Sequence, residues 1–410
     1  MISRQEAEEI AAVWAQRDSS RLGVPCTPVV HEFDLGYLIT AAVPPTTPTT
    51  PGDLPHTIVD RETGEVSNWP RLPAQVVERL YREDRVSRPA SPRTVDPAAQ
   101  LLRSVRRAAT PDTAAHLTVE GRLHVANGAK GEVTLRHHPL VRAYLDELPA
   151  GRLVRGGERH AELIVISDVL YAEDQQRATD GQPSAEIADA VGLFEEAHLE
   201  IFRIREPGDP AAGRAERPCD SCLNALVHFG LRPWSDLAFT REWRPEPQPS
   251  PQPDRFPPEV SNSLVAAGWQ PGFGDEALAT IAIEETCEVS GVSRGHHPFP
   301  AVQQLLAMFP GLSSSRMGPG TEVWISGFTI EPLSAAYSAD TLADFGRVLG
   351  VRLFPIGTEQ QESILAVDEH GRVFALDQAG EWFLGADIDT ALTTLLLGRA
   401  PARVRDDGTW

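Results

Sequence analysis

Cysteine is scarce: the chain has four in 410 residues, and Cys26 and Cys287 stand far from the close pair Cys219 and Cys222. That excludes the dense, even cysteine framework of a small secreted disulfide protein and fits a reducing cytosol. Basic charge is short as well. The formal net charge of −21 and a sequence pI near 5.0 oppose extended contact with phosphate backbones, which relies on clustered Lys and Arg displacing counterions. Duplex DNA is therefore not an expected partner. A single extruded base, a free nucleotide or a basic protein remains compatible, because a local pocket can be cationic on an acidic chain. Long apolar runs are missing too: none is long enough to cross a bilayer, and Met1-Ile2-Ser3-Arg4-Gln5-Glu6 lacks the apolar stretch of a signal peptide. The expectation is a cytoplasmic chain without a membrane span.

What is present is enough apolar residue, 41% of 410, to build real cores, and a length that fits two or three domains, of which three are expected. A capping box at Ser3 and Glu6 opens a helix to about Arg17 with Ala7, Ile10, Ala11 and Trp14 on one side. Val29 to Val43, interrupted by Asp34-Leu35-Gly36, and a hairpin around Thr63-Gly64 supply the sheet that this helix covers, and Pro73 to Tyr81 closes the module. Pro44 to Pro55 reads as a loop. The first domain is placed at 1–85 and a linker carrying Arg103, Arg106 and Arg107 at 86–114. In 115–236 the pattern gives strands His116–Val125 and Glu132–His137 around a turn at Asn127-Gly128, a helix near Leu140 to Leu148, an apolar run after His160 expected to be a buried helix although periodicity alone also allows a strand, a helix in 185–197 and a strand Leu199–Ile204. Pro-rich residues 237–255 mark a second linker with no packed structure expected in it. Residues 256–405 read as helices at 261–267, 301–309 and the C-terminal end, with strands at 322–330, 353–356, 363–368 and 373–377. The fold class is multidomain α+β / α/β, a central module flanked by two α+β modules.

The chemistry-bearing stretch is His160-Ala161-Glu162, answered by Pro218-Cys219-Asp220-Ser221-Cys222. An H-x-E followed by P-C-x-x-C is the signature of zinc-dependent base and nucleotide deamination. Three protein ligands, His160, Cys219 and Cys222, leave zinc a fourth position for water, whose pKa falls to roughly 7. Glu162, a carboxylate that is not a ligand, is then the general acid/base that moves the proton toward the departing ammonia. If both pairs begin helices, the positive helix ends converge and favour the thiolate form, and Pro218 suits a helix start. Arg155, with Gly156 and Gly157 beside it, is a candidate for a substrate phosphate, and Asp220 and Ser221 are candidates for substrate contact. Two other readings stay open: a structural zinc site completed by His198 or His228, and an unmetallated cysteine pair.

Through His138-Pro139, Leu145-x-x-Leu148-Pro149, Arg155-Gly156-Gly157 and the two motif halves, the segment from about 116 to 235 resembles the YwqJ-type deaminase family of bacterial toxin and conflict systems. The resemblance implies a mixed sheet packed by helices, Zn2+ as cofactor and a nucleobase-containing substrate. It also shows a departure: the motif halves are farther apart than in compact deaminases, and an inserted helix in 185–197 either absorbs the extra length or caps the pocket. Phe256-Pro257-Pro258-Glu259, Ala267-Gly268-Trp269, Phe309-Pro310-Gly311-Leu312 and Leu353-Phe354-Pro355-Ile356-Gly357 carry a resemblance to the third subgroup of the SUKH immunity superfamily. His31-Glu32-Phe33-Asp34-Leu35-Gly36-Tyr37 with Ile58-Val59-Asp60-Arg61 resembles the YrhB-type immunity family. These imply modules that bind a toxin or another protein partner. The competing function is accordingly a non-catalytic immunity or scaffold protein.

Overall fold

The computed structural model describes residues 2–22, 24–44, 56–69, 72–87, 110–131, 133–239, 242–289, 295–360 and 362–410. Most of the Pro/Thr-rich loop, the linker arginines at 103, 106 and 107, and Glu132 lie outside the described residues. The architecture is multidomain α+β.

In the N-terminal part the capping box forms, Ser3 N donating to Glu6 Oε2 at 2.7 Å and Glu6 N to Ser3 Oγ at 3.3 Å. It starts α1 (Arg4–Leu22), whose Ile10, Ala11 and Trp14 pack on Ile39, Val59 and Val66. Strands β1 (Thr27–Phe33), β2 (Gly36–Ala42), β3 (His56–Asp60) and β4 (Val66–Trp69) run as an antiparallel meander. The helix α2 (Ala74–Ser87) brings Val77 and Tyr81 against Phe33, Ile58 and Trp69.

The central part begins with a hairpin, β5 (Asp112–Val119) and β6 (Arg122–Asn127), that turns at Glu120-Gly121 rather than at Asn127-Gly128. Both turn residues have positive φ, 48° and 75°, as a two-residue hairpin with the native strand twist demands. A Cβ at Gly128 would lie 2.6 Å from the carbonyl oxygen of Gln378, so this glycine serves a close backbone approach. The second expected strand shrinks to β7 (Thr134–Leu135), which leaves the hairpin and pairs in parallel with β4. The parallel pairing thus falls in the five-stranded sheet, β1-β2-β3-β4-β7, whereas β8 (His198–Ile204) joins β5 antiparallel in the order β6-β5-β8.

Among the described residues, four helices serve this central sheet: α3 (Pro139–Glu147), α4 (Ala161–Thr179), α5 (Ile187–Phe194) and α6 (Asp220–His228). Their Val141, Leu163, Ile166, Leu170, Phe194 and Leu226 share one core with Leu117 and Ile201. The apolar run after His160 is therefore a helix, buried because it passes through this core.

The C-terminal part holds α7 (Pro258–Ala266), α8 (Glu276–Glu288) and α9 (Pro300–Met308). Strands β9 (Ser313–Ser314) and β10 (Phe328–Thr329) precede α10 (Ala339–Leu349). The rest of the sheet is β11 (Leu353–Glu359), β12 (Ser363–Asp368), β13 (Val373–Asp377), β14 (Gly380–Gly385) and, after α11 (Ile388–Leu397), β15 (Ala402–Arg403). The order is β15-β14-β13-β12-β11-β10-β9. The strand expected over 322–330 is short because the chain bends back on itself, Gly318 pairing with Ile325. Past the short 3₁₀ helix Trp234–Phe239, the described residues of the Pro-rich stretch carry no helix or strand beyond an isolated pairing but are tied down: Trp243 and Met317 exchange backbone hydrogen bonds at 2.8 and 3.1 Å, and Gln248 N donates to Asn262 Oδ1 at 3.0 Å. Among the described residues no helix is long and apolar enough to cross a membrane.

One buried carboxylate organises the N-terminal core. Asp60 accepts from Tyr81 Oη at 2.6 Å and from the N–H groups of Glu62 and Thr63 at 2.9 and 2.8 Å, and pairs with Arg85 at 3.0 Å. Burial works against its charge, but the bonds from Tyr81 and Thr63 and the Arg85 guanidinium hold it below the usual carboxylate range. Tyr81→Phe removes a bond to a charged group and is expected to cost about 1.5–3 kcal/mol, read as a lower urea midpoint for the N-terminal module. Because the folded pKa is depressed, this stabilisation is full above the unfolded carboxylate value and is lost as pH falls through the folded one.

Candidate metal centre

Two helices begin inside the protein and face each other. His160 is the N-cap of α4, with extended backbone, and Glu162 lies in the first turn of that helix. Cys219 is the N-cap of α6, where its Sγ accepts from Cys222 N at 3.4 Å. The side chains meet: His160 Nδ1 is 3.5 Å from Cys219 Sγ and 3.4 Å from Cys222 Sγ. All are buried, with His160 5%, Cys219 6%, Cys222 1% and Glu162 2% exposed, and both cysteines are free.

Electrostatics inside the cluster favour a charged pair. The Cys219 sulfur is held well below the usual thiol range by a hydrogen bond from Cys222 and by His160 and Ser221, against the opposing effect of burial. Burial disfavours the imidazolium of His160, but the neighbouring Cys219 sulfur, with Glu162 and Asp377, pushes it up to about 10. Burial raises the Glu162 carboxyl to about 7, partly offset by His160. Glu162 Oε2 is buried without any hydrogen-bond partner. A buried acceptor left unpaired costs about 1–3 kcal/mol, so its retention points to a missing partner in the site.

The donor set fits zinc. A tetrahedral ion with bonds of about 2.0–2.3 Å spaces its N and S ligands roughly 3.5 Å apart, which matches the separations between His160 and the two sulfurs. Among the described residues, no fourth His, Cys, Asp or Glu joins the three. His198 is largely exposed beside Glu200, and His228 packs on Tyr144 and Phe229. Neither completes a closed structural site.

A pocket opens onto this cluster, and its walls come from two parts of the chain. Asp112, Thr113, Val154, Arg155, His160, Arg205 and Cys219 line one side, and Ser326, Glu359, Gln360, Glu362, Ser363, Asp377 and Gln378 line the other. The helix α5 contributes none of these residues. It absorbs the extra length between the motif halves by burying Ala190 and Phe194 in the core.

Residues 95–231 match the YwqJ-like deaminase family. That segment contains His160, Glu162, Cys219 and Cys222. Residues 256–398 match the SUKH-3 immunity protein family and residues 5–88 the immunity protein 35-like domain, so the expected three-part layout holds, with the deaminase-family segment between two immunity-type segments. Comparison with curated proteins and with solved structures finds no match.

The remaining candidates of the YwqJ-like segment fall in different places. Arg155 is engaged by the SUKH-3 segment, its Nη2 donating to Glu359 Oε2 at 2.7 Å, Asp377 Oδ2 at 3.0 Å and Ser363 Oγ at 3.2 Å. Ser221 Oγ accepts from Val154 N at 3.4 Å and lies 3.4 Å from Cys219 Sγ. Asp220 is buried in the first turn of α6.

Three residues near the site carry no sequence signal. Arg159 donates to the carbonyl oxygens of Ala129, Gly131 and Val133 at 2.7, 2.7 and 2.8 Å, fixing the chain just before His160. Arg205 lines the pocket with its Nη2 unpartnered. Gln378 comes from more than two hundred residues beyond the helix that it caps, its Oε1 accepting from Ala161 N at 3.2 Å.

Removing the Arg155 side chain would leave Glu359 and Asp377 without their shared cation. Arg155→Met is expected to cost about 3–5 kcal/mol, measured by chemical denaturation of the full chain. Arg155→Lys should recover only part of this, because an ammonium lacks the planar fork that spans both carboxylates.

Proposed function

We propose that the YwqJ-like segment is a zinc-dependent deaminase that hydrolyses the exocyclic amine of a nucleobase, carried by a nucleoside, a nucleotide or a single strand. The observation that carries this reading is the buried convergence of His160, Cys219 and Cys222 beside Glu162, whose Oε2 has no partner. His160 Nδ1 and the two cysteine sulfurs would hold the ion. When bound, zinc supplies Lewis-acid activation of water, bringing its pKa to roughly 7.

The rest is the work of Glu162. Its carboxylate accepts a proton from the attacking water and returns it to the ring nitrogen next to the reacting carbon, then takes the second proton from the hydroxyl so added and delivers it to the amine, whose C–N bond breaks as the carbonyl forms. Water and the amino-substituted ring are consumed, and the carbonyl ring and ammonia are formed. Burial of the Glu162 carboxyl works against its charge, which favours a group able to give a proton back as well as take one. Asp220 and Ser221, at the start of α6, are the proposed substrate-contacting positions on the cysteine side. Among pocket cations Arg205 has a free N–H for an anionic group, whereas Arg155 is spent on the opposite wall. The formal net charge of −21 argues against a duplex substrate, and the free cysteines suit a cytoplasmic setting.

The two immunity-type segments support a toxin–immunity context for this segment, with a toxin or another protein as their proposed partner. The same segments support a second reading, in which the chain is a non-catalytic binder or scaffold.

Purified protein is expected to hold one zinc per chain and to release ammonia from at least one of a panel of cytidine, adenosine and guanine compounds, free and in single strands. Glu162→Gln should keep the zinc and lower turnover by about 10²–10⁴-fold. Unchanged activity in Glu162→Gln would remove the proposed proton carrier. Stoichiometric zinc with no turnover on any base would favour the binder.

A further inference from the structure

We infer that the metal site is composite: the SUKH-3 segment supplies two positioning residues, Gln378 and Trp324, that keep the ligands of the YwqJ-like segment in place. This rests on the zinc reading above.

The first contact is with the helix that carries His160 and Glu162. Ala161 N is one of the helix-start donors that have no intrahelical acceptor, and it donates to the Oε1 of buried Gln378. Gln378 is itself fixed, because it sits in the tight turn between β13 and β14. There Asp377 Oδ1 accepts from Ala379 N at 2.9 Å, Gly380 N at 3.1 Å and Trp382 Nε1 at 3.0 Å. The other oxygen of Asp377 takes Arg155. The turn therefore grips the YwqJ-like segment at two points, one on the loop before His160 and one on the residue after it.

The second contact is with the cysteines. Trp324, 4% exposed, clusters with Val154, Cys219 and Cys222. Its backbone N donates to Leu153 O at 2.8 Å, and Gly151 N donates to Glu322 O at 3.0 Å. Backbone at this seam comes close enough that a Cβ on Gly151 would lie 2.2 Å from Gly320 O. The indole thus forms part of the apolar shell around the two sulfurs. Such a shell controls solvent access and ligand basicity, and removing an outer-shell partner of a metal ligand costs about 10–100-fold in metal affinity.

The test uses the full chain in five forms: wild type, Gln378→Ala, Gln378→Glu, Trp324→Ala and Trp324→Phe. Zinc content, the rate of zinc transfer to a chromogenic chelator and the visible spectrum of the cobalt-substituted protein are read together with kcat and KM. The two alanine variants are expected to bind zinc about 10–100-fold more weakly, to shift the cobalt bands and to lose kcat more than they raise KM. Gln378→Glu, which keeps an acceptor for Ala161 N, and Trp324→Phe, which keeps the apolar cover, should restore most of the affinity and the spectrum, and they serve as folded references. Wild-type zinc retention and an unaltered cobalt spectrum in both alanine variants would overturn the inference. So would higher turnover with unchanged zinc binding, which would make the SUKH-3 segment a removable cover. A wild-type protein that takes up no zinc would sink the zinc reading itself, and this inference with it; a zinc-loaded wild type with indifferent variants sinks only the inference.

Discussion

Burying two helix starts against each other sets the terms for this molecule. The N–H groups at residues 161 and 222 cannot reach water, and each helix brings the positive end of its dipole to the same place. One donor is met by the sulfur of Cys219 and the other by Gln378. The positive ends are answered by a thiol with a strongly lowered pKa and by the Glu162 carboxyl. A metal-ligand set is a natural outcome, because the groups that neutralise two converging helix ends, thiolate and carboxylate, are also those that bind or serve a divalent ion.

The Arg155 cluster shows how the seam between segments is specified. Taking a guanidinium and two carboxylates out of water costs several kcal/mol per ion, and their attraction roughly repays it. The cluster therefore adds little net stability. Its effect is on geometry: any shift of the SUKH-3 segment that separated Arg155 from Glu359 and Asp377 would leave buried charge without a partner. Gly156 sharpens the fit, since a Cβ there would lie 2.6 Å from the Ala379 side chain and 2.7 Å from Trp382. Charge and close packing together select one docking arrangement.

The cluster of His160, Glu162, Cys219 and Cys222 was legible in the chain because its chemistry is local: each motif half spans a few residues, and each half begins a helix. The hairpins and amphipathic helices were legible for the same reason, through periodicity and turn residues. What escaped was set by tertiary approach. Glu120-Gly121 reads as an ordinary interior of a strand until β5 and β6 are seen to reverse there, and Asn127-Gly128 reads as a turn when the glycine answers Gln378. Arg155 beside two glycines resembles a phosphate loop, yet its partners lie over two hundred residues away. No window of sequence contains Arg155, Glu359 and Asp377 together.

The Pro-rich stretch after Trp243 raises the same issue for domain boundaries. Proline marks where the backbone cannot build helix or sheet, which is a statement about the linker and not about the bodies on either side. Two separate proteins meeting through a seam this polar would have to overcome the loss of translational and rotational freedom, several kcal/mol at the least. A tether converts that association into an intramolecular step at a high effective concentration, so polar contacts of modest individual worth suffice to keep the seam closed. Fusion thus changes what an immunity-type segment can be. Held beside the pocket by its own chain, it can contribute a wall, a helix cap and part of the apolar surroundings of Cys219 and Cys222, functions that a transient partner would lose each time it dissociated.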